Sequence, residues 1–208
     1  MSLIDYITSL SIGVPVIIGI NVFKKLKEPI SKSFFYFIIL SLIIEILGLF
    51  LASKSINNHI IYNINTILNA VFVSYLAFKN RIRYSAFIIV IILIFVLSNL
   101  KLNSFFEFNR INYLISYLFQ GIISCILLLR SVEVFDKEFY TYFRFWMLSG
   151  MLIFSFSTIS IFLLFDYIVK NDTPEISTYY VTYNLFINLI VNAIYTKAFL
   201  CLKKNSTY

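Results

Sequence analysis

The chain has 208 residues, of which 60% are hydrophobic and 13% are charged, with a formal net charge of +7 and a mean hydropathy of +0.88. A soluble domain carries about 25% charged residues, so this chain has too few charges to cover a water-facing surface. The composition therefore excludes an ordinary soluble domain and predicts an all-α polytopic membrane bundle whose first partner is the lipid bilayer.

Apolar stretches long enough to cross a membrane recur along the chain. A helix needs about 20 mostly apolar residues to cross the hydrocarbon core. We predict one seven-helix membrane domain over residues 1–208, with spans at 3–22, 34–53, 58–78, 84–99, 111–130, 145–165 and 178–199. Seven spans leave no room for a separate soluble domain.

The first span is predicted to be a retained helix and not a secretory leader. It begins with Asp5 and no basic residue, and its lysines, Lys24 and Lys25, come only after the apolar stretch. A secretory leader has the reverse order, with basic residues first.

The second span carries Glu45, the one carboxylate deep within a predicted span. A charged group at such a depth costs about 2.5–3.5 kcal/mol even on a lenient insertion scale. We therefore expect Glu45 to be protonated or hydrogen-bonded to the amides of span three. Ionisable residues inside a membrane are functional candidates, and the structural alternative is a neutral acid packed against Asn65 or Asn69.

Polar residues form stripes on the third and seventh spans. Residues four apart lie on one face of a helix, so Tyr62, Asn65 and Asn69 share a face of span three. Asn184, Asn188 and Asn192 form the corresponding stripe on span seven. An amide in hydrocarbon must find a partner, so both stripes should face the protein interior.

The fourth and fifth spans contrast with each other. Span four is the most uniformly apolar and is predicted to face lipid on all sides, whereas span five carries Gln120.

The complete set of predicted ligand-binding residues is Glu45, Tyr62, Asn65, Asn69, Gln120, Asn184, Asn188 and Asn192. The alternative is that these groups only join helices, at about 0.6 kcal/mol per hydrogen bond.

Lysine and arginine counts predict the orientation. Thirteen bases fall in one set of segments and four in the other, and cytoplasmic loops are the ones enriched in bases. We therefore place the N-terminus outside and the C-terminus in the cytoplasm, which favours a multi-pass protein of the cell (inner) membrane. The basic charge is thus a topology signal, and no nucleic-acid partner is expected. The thirteen are Lys24, Lys25, Lys27, Lys32, Lys79, Arg81, Arg83, Arg130, Lys137, Arg144, Lys197, Lys203 and Lys204; the four are Lys54, Lys101, Arg110 and Lys170.

Spans three and seven also resemble each other in sequence. Residues 65–70 read NTILNA and residues 188–193 read NLIVNA. The pattern indicates either a parallel repeat, with halves 1–83 and 111–204 around a linker helix at 84–99, or a chance match between two Ile-rich and Asn-rich helices. An odd number of linker helices would keep the two halves in the same orientation.

The sequence contains no motif typical of catalysis. It lacks a metalloprotease HExxH, a GxSxG nucleophile elbow and a phosphate-binding glycine loop, and His59 is its one histidine. We expect no enzyme activity, no metal and no cofactor.

Two segments resemble a known group of proteins. Residues 57–63 read NNHIIYN and residues 145–155 read FWMLSGMLIFS. Together with Glu45, they resemble a group of small uncharacterised seven-helix bacterial membrane proteins. That resemblance implies the same fold and an association with sensory kinases, although the group often has a glutamate where this chain has Asn69. The three-one-three layout also resembles the SWEET sugar transporters, which have prolines in several helices where this chain has only Pro15.

Three functions remain open at this point. The leading hypothesis is a receptor-like or sensory membrane protein that binds a small polar or amphipathic ligand within the bundle and signals through a separate cytoplasmic protein. The alternatives are a facilitative transporter of a small neutral solute and a structural subunit of a membrane complex. Five glycines and three prolines offer few bends for alternating access, which places transport second.

Overall fold

The computed structural model describes residues 3–82, 110–134, 142–170 and 173–204, and over these it is all-helical. The helices are α1 (Leu3–Leu10), α2 (Gly13–Asn21), α3 (Pro29–Ser53), α4 (His59–Lys79), α5 (Arg110–Val134), α6 (Phe143–Lys170) and α7 (Pro174–Lys204); a 3-10 turn (Phe23–Lys25) follows α2. The prediction of an all-α fold is confirmed. The predicted fourth span and linker helix, 84–99, lies outside the described residues.

Five of these helices, α3 to α7, are long and apolar enough to cross a membrane. Large apolar side chains cover their outward faces, including those of Phe50 on α3, Phe78 on α4 and Leu129 on α5. Asparagine, glutamine, serine and threonine are instead found among the buried residues. A bundle with polar groups inside and apolar groups outside is compatible with a multi-pass membrane protein.

The first predicted span, 3–22, is broken in two. The chain forms a turn at Ser11 and Ile12, and α2 begins at Gly13. Pro15 explains the break, because it has no N–H to donate to the Ser11 carbonyl and its ring crowds that group. The Val14 amide donates to the Ser11 carbonyl instead, at 3.1 Å. The polar backbone of this break therefore lies inside an otherwise apolar stretch.

Two of the long helices end in turns of the same kind. Ser55 follows α3 with φ of 56° and Arg81 follows α4 with φ of 50°. The amide of the next residue closes each turn, from Ile56 to the Leu51 carbonyl at 2.9 Å and from Ile82 to the Ala77 carbonyl at 3.1 Å. This left-handed cap satisfies carbonyls that would otherwise lack partners at the helix end.

The contacts between helices run in a circle. Each of α3, α4, α5 and α6 packs against the next described helix, and α7 returns to pack against α1 and α2. Helices α1 and α2 also contact α3, which closes the ring. The middle of this ring is where a polar site can be shielded from lipid.

One end of the bundle, which we call the basic end, carries Lys79, Arg130 and Arg144. There the Arg130 Nη1 donates to the Asn80 carbonyl at 3.4 Å, and Arg144 Nε forms an exposed ion pair with Glu28 Oε2 at 3.1 Å. Such an exposed pair contributes about 1 kcal/mol or less to stability.

An aromatic cluster fills the core near the basic end. Phe34 of α3 is fully buried, and its ring centroid lies 5.9 Å from Phe72, 5.8 Å from Phe143, 5.0 Å from Tyr195 and 5.8 Å from Phe199. These four rings come from α4, α6 and α7. We call these five residues the Phe34 cluster; it joins four helices through a single side chain.

Candidate functional site

A cavity of about 120 Å³ lies inside the ring of helices. Its walls come from the α1–α2 segment and from each of α3 to α7. The residues that line it are Thr8, Ser9, Ile12, Phe37, Ile38, Ser41, Glu45, Asn65, Asn69, Tyr117, Gln120, Phe154, Asn188, Val191, Asn192 and Tyr195. A dry cavity of about 150 Å³ admits benzene, so this one has room for several waters or for a very small organic molecule.

Six of the eight predicted site residues meet at this cavity. They are Glu45, Asn65, Asn69, Gln120, Asn188 and Asn192. The two others do not line it. The Tyr62 ring packs against Gly48 of α3, and Asn184 lies one turn before Asn188, to which it offers its backbone carbonyl. Each polar stripe therefore contributes its two residues nearest the basic end.

The amide nitrogens of Asn69 on α4 and Gln120 on α5 are held by the protein. Asn69 Nδ2 donates to Ser116 Oγ at 3.1 Å, and Ser116 in turn donates to the Thr66 carbonyl at 3.4 Å. Gln120 Nε2 donates to the Met151 carbonyl of α6 at 2.9 Å. These bonds orient both amides and join α4 to α5 and α5 to α6.

The amide nitrogens on α7 are held in the same way. Asn188 Nδ2 donates to the Asn184 carbonyl of its own helix at 2.9 Å. Asn192 Nδ2 donates to Ser11 Oγ at 2.7 Å, and Ser11 lies in the break between α1 and α2. The break in the first span thus places a hydroxyl where it can accept a hydrogen bond from the seventh helix.

Two amide oxygens on α4 are left without such a bond. Asn65 Oδ1 and Asn69 Oδ1 are buried, and within the described structure neither atom has a hydrogen-bond partner. Asn69 is only 3% exposed. A buried acceptor without a donor costs about 1–3 kcal/mol, and both residues line the cavity. The cavity is therefore a place that favours a guest able to donate hydrogen bonds.

Glu45 lies on the α3 wall of the same cavity. It is the one described lining residue with a carboxyl group. Ser9 of α1 shares a side-chain hydrogen bond with it. The expected contact partners, Asn65 and Asn69, line the cavity with Glu45, but the hydrogen bond comes from a different helix. The first span thus contributes to the site, which the asparagine stripes did not predict.

Several further lining residues were not among the predicted site residues. Ser9 and Thr8 come from α1, Ser41 from α3, and the buried Tyr117 and Tyr195 from α5 and α7. Helical spacing along the sequence would have identified two of these residues, Tyr117 and Tyr195. Tyr117 lies three residues before Gln120, and Tyr195 three residues after Asn192, so each lies on the same helix face as a predicted site residue.

The wall of the cavity is joined to the Phe34 cluster by Tyr195. This residue lines the cavity, and its ring lies against Phe34, 5.0 Å between centroids and nearly perpendicular. Gly150 of α6 makes room for the ring, because a Cβ at that position would lie 2.5 Å from Tyr195 Cε1. A change at the cavity can therefore reach the basic end through packed side chains.

A second cavity, of about 190 Å³, lies at the basic end. Apolar side chains that include Ile30, Leu76 and Met147 line it together with Arg130 and Arg144. It borders the helix ends next to the predicted cytoplasmic loops.

The fold and the site define the class of protein. It is an all-helical protein compatible with a multi-pass membrane protein, and a polar cavity lies within its ring of helices. Comparisons with protein-family models, with curated proteins and with solved structures find no match for the chain.

Proposed function

We propose that this chain is a receptor-like protein of the cell (inner) membrane that binds a small hydrogen-bond-donating ligand in the central cavity and signals through a separate cytoplasmic protein. The observation that supports the proposal is that two residues lining a polar cavity, Asn65 and Asn69, each have a buried amide oxygen without a hydrogen-bond donor among the described residues. Amides that served only to join helices would be expected to satisfy both ends of the group.

The proposal includes seven spans, with the N-terminus outside and the C-terminus in the cytoplasm. It also includes the parallel repeat of halves 1–83 and 111–204 around a linker helix at 84–99. The repeat is supported by the four asparagines of the matching segments, Asn65 and Asn69 on α4 and Asn188 and Asn192 on α7, all of which line the cavity.

Signalling would use the contact between the cavity and the Phe34 cluster. A ligand that moved Tyr195 would disturb Phe34, and Phe34 touches α4, α6 and α7 near their basic ends. Phe143 of this cluster is the neighbour in sequence of Arg144, which pairs with Glu28. The basic end is the surface that a cytoplasmic partner, such as the sensory kinase that the resemblance implies, would contact.

The binding half of the proposal is tested on the purified protein in detergent. Thermal unfolding is followed against a panel of small amines, polyols, amides and amphiphiles, for the wild type and for Asn69→Leu. We expect at least one compound to raise the wild-type Tm in a concentration-dependent manner and to leave Asn69→Leu unchanged. Asn63→Leu is the matched control, because Asn63 is a buried amide of α4 that does not line the cavity.

If no compound in the panel stabilises the wild type, and both variants lose stability to the same extent, the amides act as links between helices. The protein would then fit the role of a structural subunit.

The signalling half is tested separately, by purifying the tagged protein from its native membrane and identifying stoichiometric cytoplasmic partners. Recovery of no such partner contradicts a receptor role.

One observation favours the facilitative transporter as the second candidate. The first span is discontinuous, and Ser9, which precedes the break, and Ile12, which lies in it, both line the cavity. Transporters commonly place broken helices beside their substrate sites near the membrane centre. Flux of a panel compound into proteoliposomes, lost in Asn188→Leu, would establish transport in place of signalling.

A further inference from the structure

We propose that the ligand of the central cavity is a small primary ammonium ion that carries a compact apolar group. This inference rests on the proposed binding function and names the chemical class of its ligand. It follows from three properties of the lining residues: which atoms can accept hydrogen bonds, which charges they carry, and how much apolar wall and volume they leave.

The first of these properties is the set of lining atoms that can accept a hydrogen bond. Asn65 Oδ1 and Asn69 Oδ1 have no donor among the described residues, while the nitrogens of Asn69, Gln120, Asn188 and Asn192 each donate to another protein atom. Glu45 adds a third acceptor group to the same cavity. A primary ammonium has three N–H donors and no acceptor, so it suits a site whose amide nitrogens are mostly bonded to the protein and two of whose acceptors are not.

The charges of the lining residues also favour an ammonium ion. Glu45 is the only ionisable acid or base among the described lining residues apart from the two tyrosines, and no lysine, arginine or histidine lines the cavity there. An anionic ligand would meet a carboxyl group and two amide oxygens with no positive charge to balance it. A cation provides the charge that a buried carboxylate requires, because buried charges are stable when paired.

The remaining wall is apolar and aromatic. Ile12, Phe37, Phe154 and Val191 line the cavity beside the polar groups, and Tyr117 and Tyr195 add two more rings. Aromatic faces attract ammonium groups, and the aliphatic side chains fit the hydrocarbon part of the ligand. A bare metal ion would leave these walls unused, since it prefers a shell of oxygen ligands. The volume of about 120 Å³ is below the roughly 150 Å³ that admits benzene, so the apolar group of the ligand is limited to a few carbon atoms.

The test uses compounds of one shape and different charge. Isopropylamine is protonated at neutral pH; isopropanol has nearly the same size but is neutral, and acetate, with the same number of non-hydrogen atoms, is an anion. Binding of each to the purified full chain is measured by titration calorimetry and by the shift in Tm. We expect isopropylamine to bind at least 10-fold more tightly than isopropanol, and acetate not to bind.

Two variants locate the binding. Glu45→Gln preserves the shape of the side chain and removes its charge, and it should weaken the binding of isopropylamine at least 10-fold while changing that of isopropanol by less than 3-fold. Asn65→Leu should weaken both compounds, because it removes an acceptor that either can use. Asn63→Leu, with its side chain away from the cavity, should bind as the wild type does and serves as the control for folding.

The outcomes separate this inference from the function on which it rests. If isopropanol binds the wild type as tightly as isopropylamine, and Glu45→Gln alters neither, then the ammonium inference is overturned and the cavity remains a site for neutral donors. If the three compounds bind equally to the wild type and to all variants, the signal is partitioning into detergent, which also overturns the inference. If isopropylamine does not bind at all, the inference fails, and the compound panel decides the proposed function.

Discussion

At the scale of single residues, the cavity amide Asn69 differs from an amide that only joins helices, because its nitrogen has a hydrogen-bond partner and its oxygen has none among the described residues. A side-chain hydrogen bond between membrane helices contributes about 0.6 kcal/mol on average. Asn69 has one such bond, to Ser116, and its oxygen has no partner within the described part of the chain. Its net contribution to stability is therefore expected to be small, which is typical of a group kept for binding.

This contrast predicts the effect of Asn69→Leu. The substitution removes one hydrogen bond and also removes a buried acceptor that has no donor, and the cavity can accept the added methyl groups. We expect the free energy of unfolding to stay within about 1 kcal/mol of the wild type. The measurement is reversible unfolding in mixed detergent micelles.

The control for that experiment is again Asn63→Leu. Asn63 is 3% exposed and lies outside the cavity, so leucine has no empty volume to occupy and we expect a greater loss of stability. A loss of 2 kcal/mol or more in Asn69→Leu would mean that the amide is structural, and the binding proposal would lose its main support.

At the scale of helices, two close contacts set how the elements pack around the site. Gly19 of α2 lies against the Phe35 ring of α3, and Gly150 of α6 lies against the Tyr195 ring of α7. Small residues let membrane helices approach each other closely, and packing then stabilises the pair. The second of these contacts is the one that positions a ring of the cavity wall.

Gly150→Ala is predicted to destabilise the protein. The added Cβ would lie 2.5 Å from Tyr195 Cε1 and 3.2 Å from Ile194 Cγ2, and the Tyr195 ring is buried, so it cannot move away freely. Overpacking of this kind costs about 1–3 kcal/mol. Because the ring also lines the cavity, ligand binding should weaken as well. Thermal unfolding and ligand titration measure the two effects.

Gly13→Ala is the matched control. A Cβ at Gly13 would have no neighbouring atom within 4 Å, and alanine favours a helix over glycine by up to about 1 kcal/mol. The control should therefore be as stable as the wild type or more so. Equal effects from the two glycine substitutions would contradict the close contact between α6 and α7.

At the scale of the whole molecule, orientation decides which surface faces a cytoplasmic partner. The proposal predicts that the α3–α4 connection lies outside and that the segment before α3 lies in the cytoplasm. In a background of Cys125→Ser and Cys201→Ala, a single cysteine is introduced as Asn57→Cys or as Lys27→Cys; both positions are exposed. A maleimide reagent that cannot cross membranes should label Asn57→Cys in intact cells and Lys27→Cys only after disruption.

Labelling in the opposite sense would invert the orientation and place the basic end outside. The Lys27→Cys variant keeps twelve of the thirteen bases on the predicted cytoplasmic side, so it should not itself reverse the topology.

The sequence alone determined the properties that depend on local composition. Apolar length predicted the helices α3 to α7 with every boundary within five residues, because crossing hydrocarbon requires that length whatever the neighbours are. Helical spacing predicted that Asn65 and Asn69 share one face, as do Asn188 and Asn192. The requirement that amides avoid lipid predicted that these faces turn inward, where the structure has them.

The tertiary structure decided what depends on partners from other helices. Spacing defines a face but not how far along it a cavity extends, so it did not separate Asn188 from Asn184 or exclude Tyr62. It also did not show that the amide nitrogens are held and two amide oxygens are left, because Ser11, Ser116 and the Met151 carbonyl come from distant parts of the chain. Hydrogen bonding is specific to atoms and distances, and these are fixed only when the helices have packed.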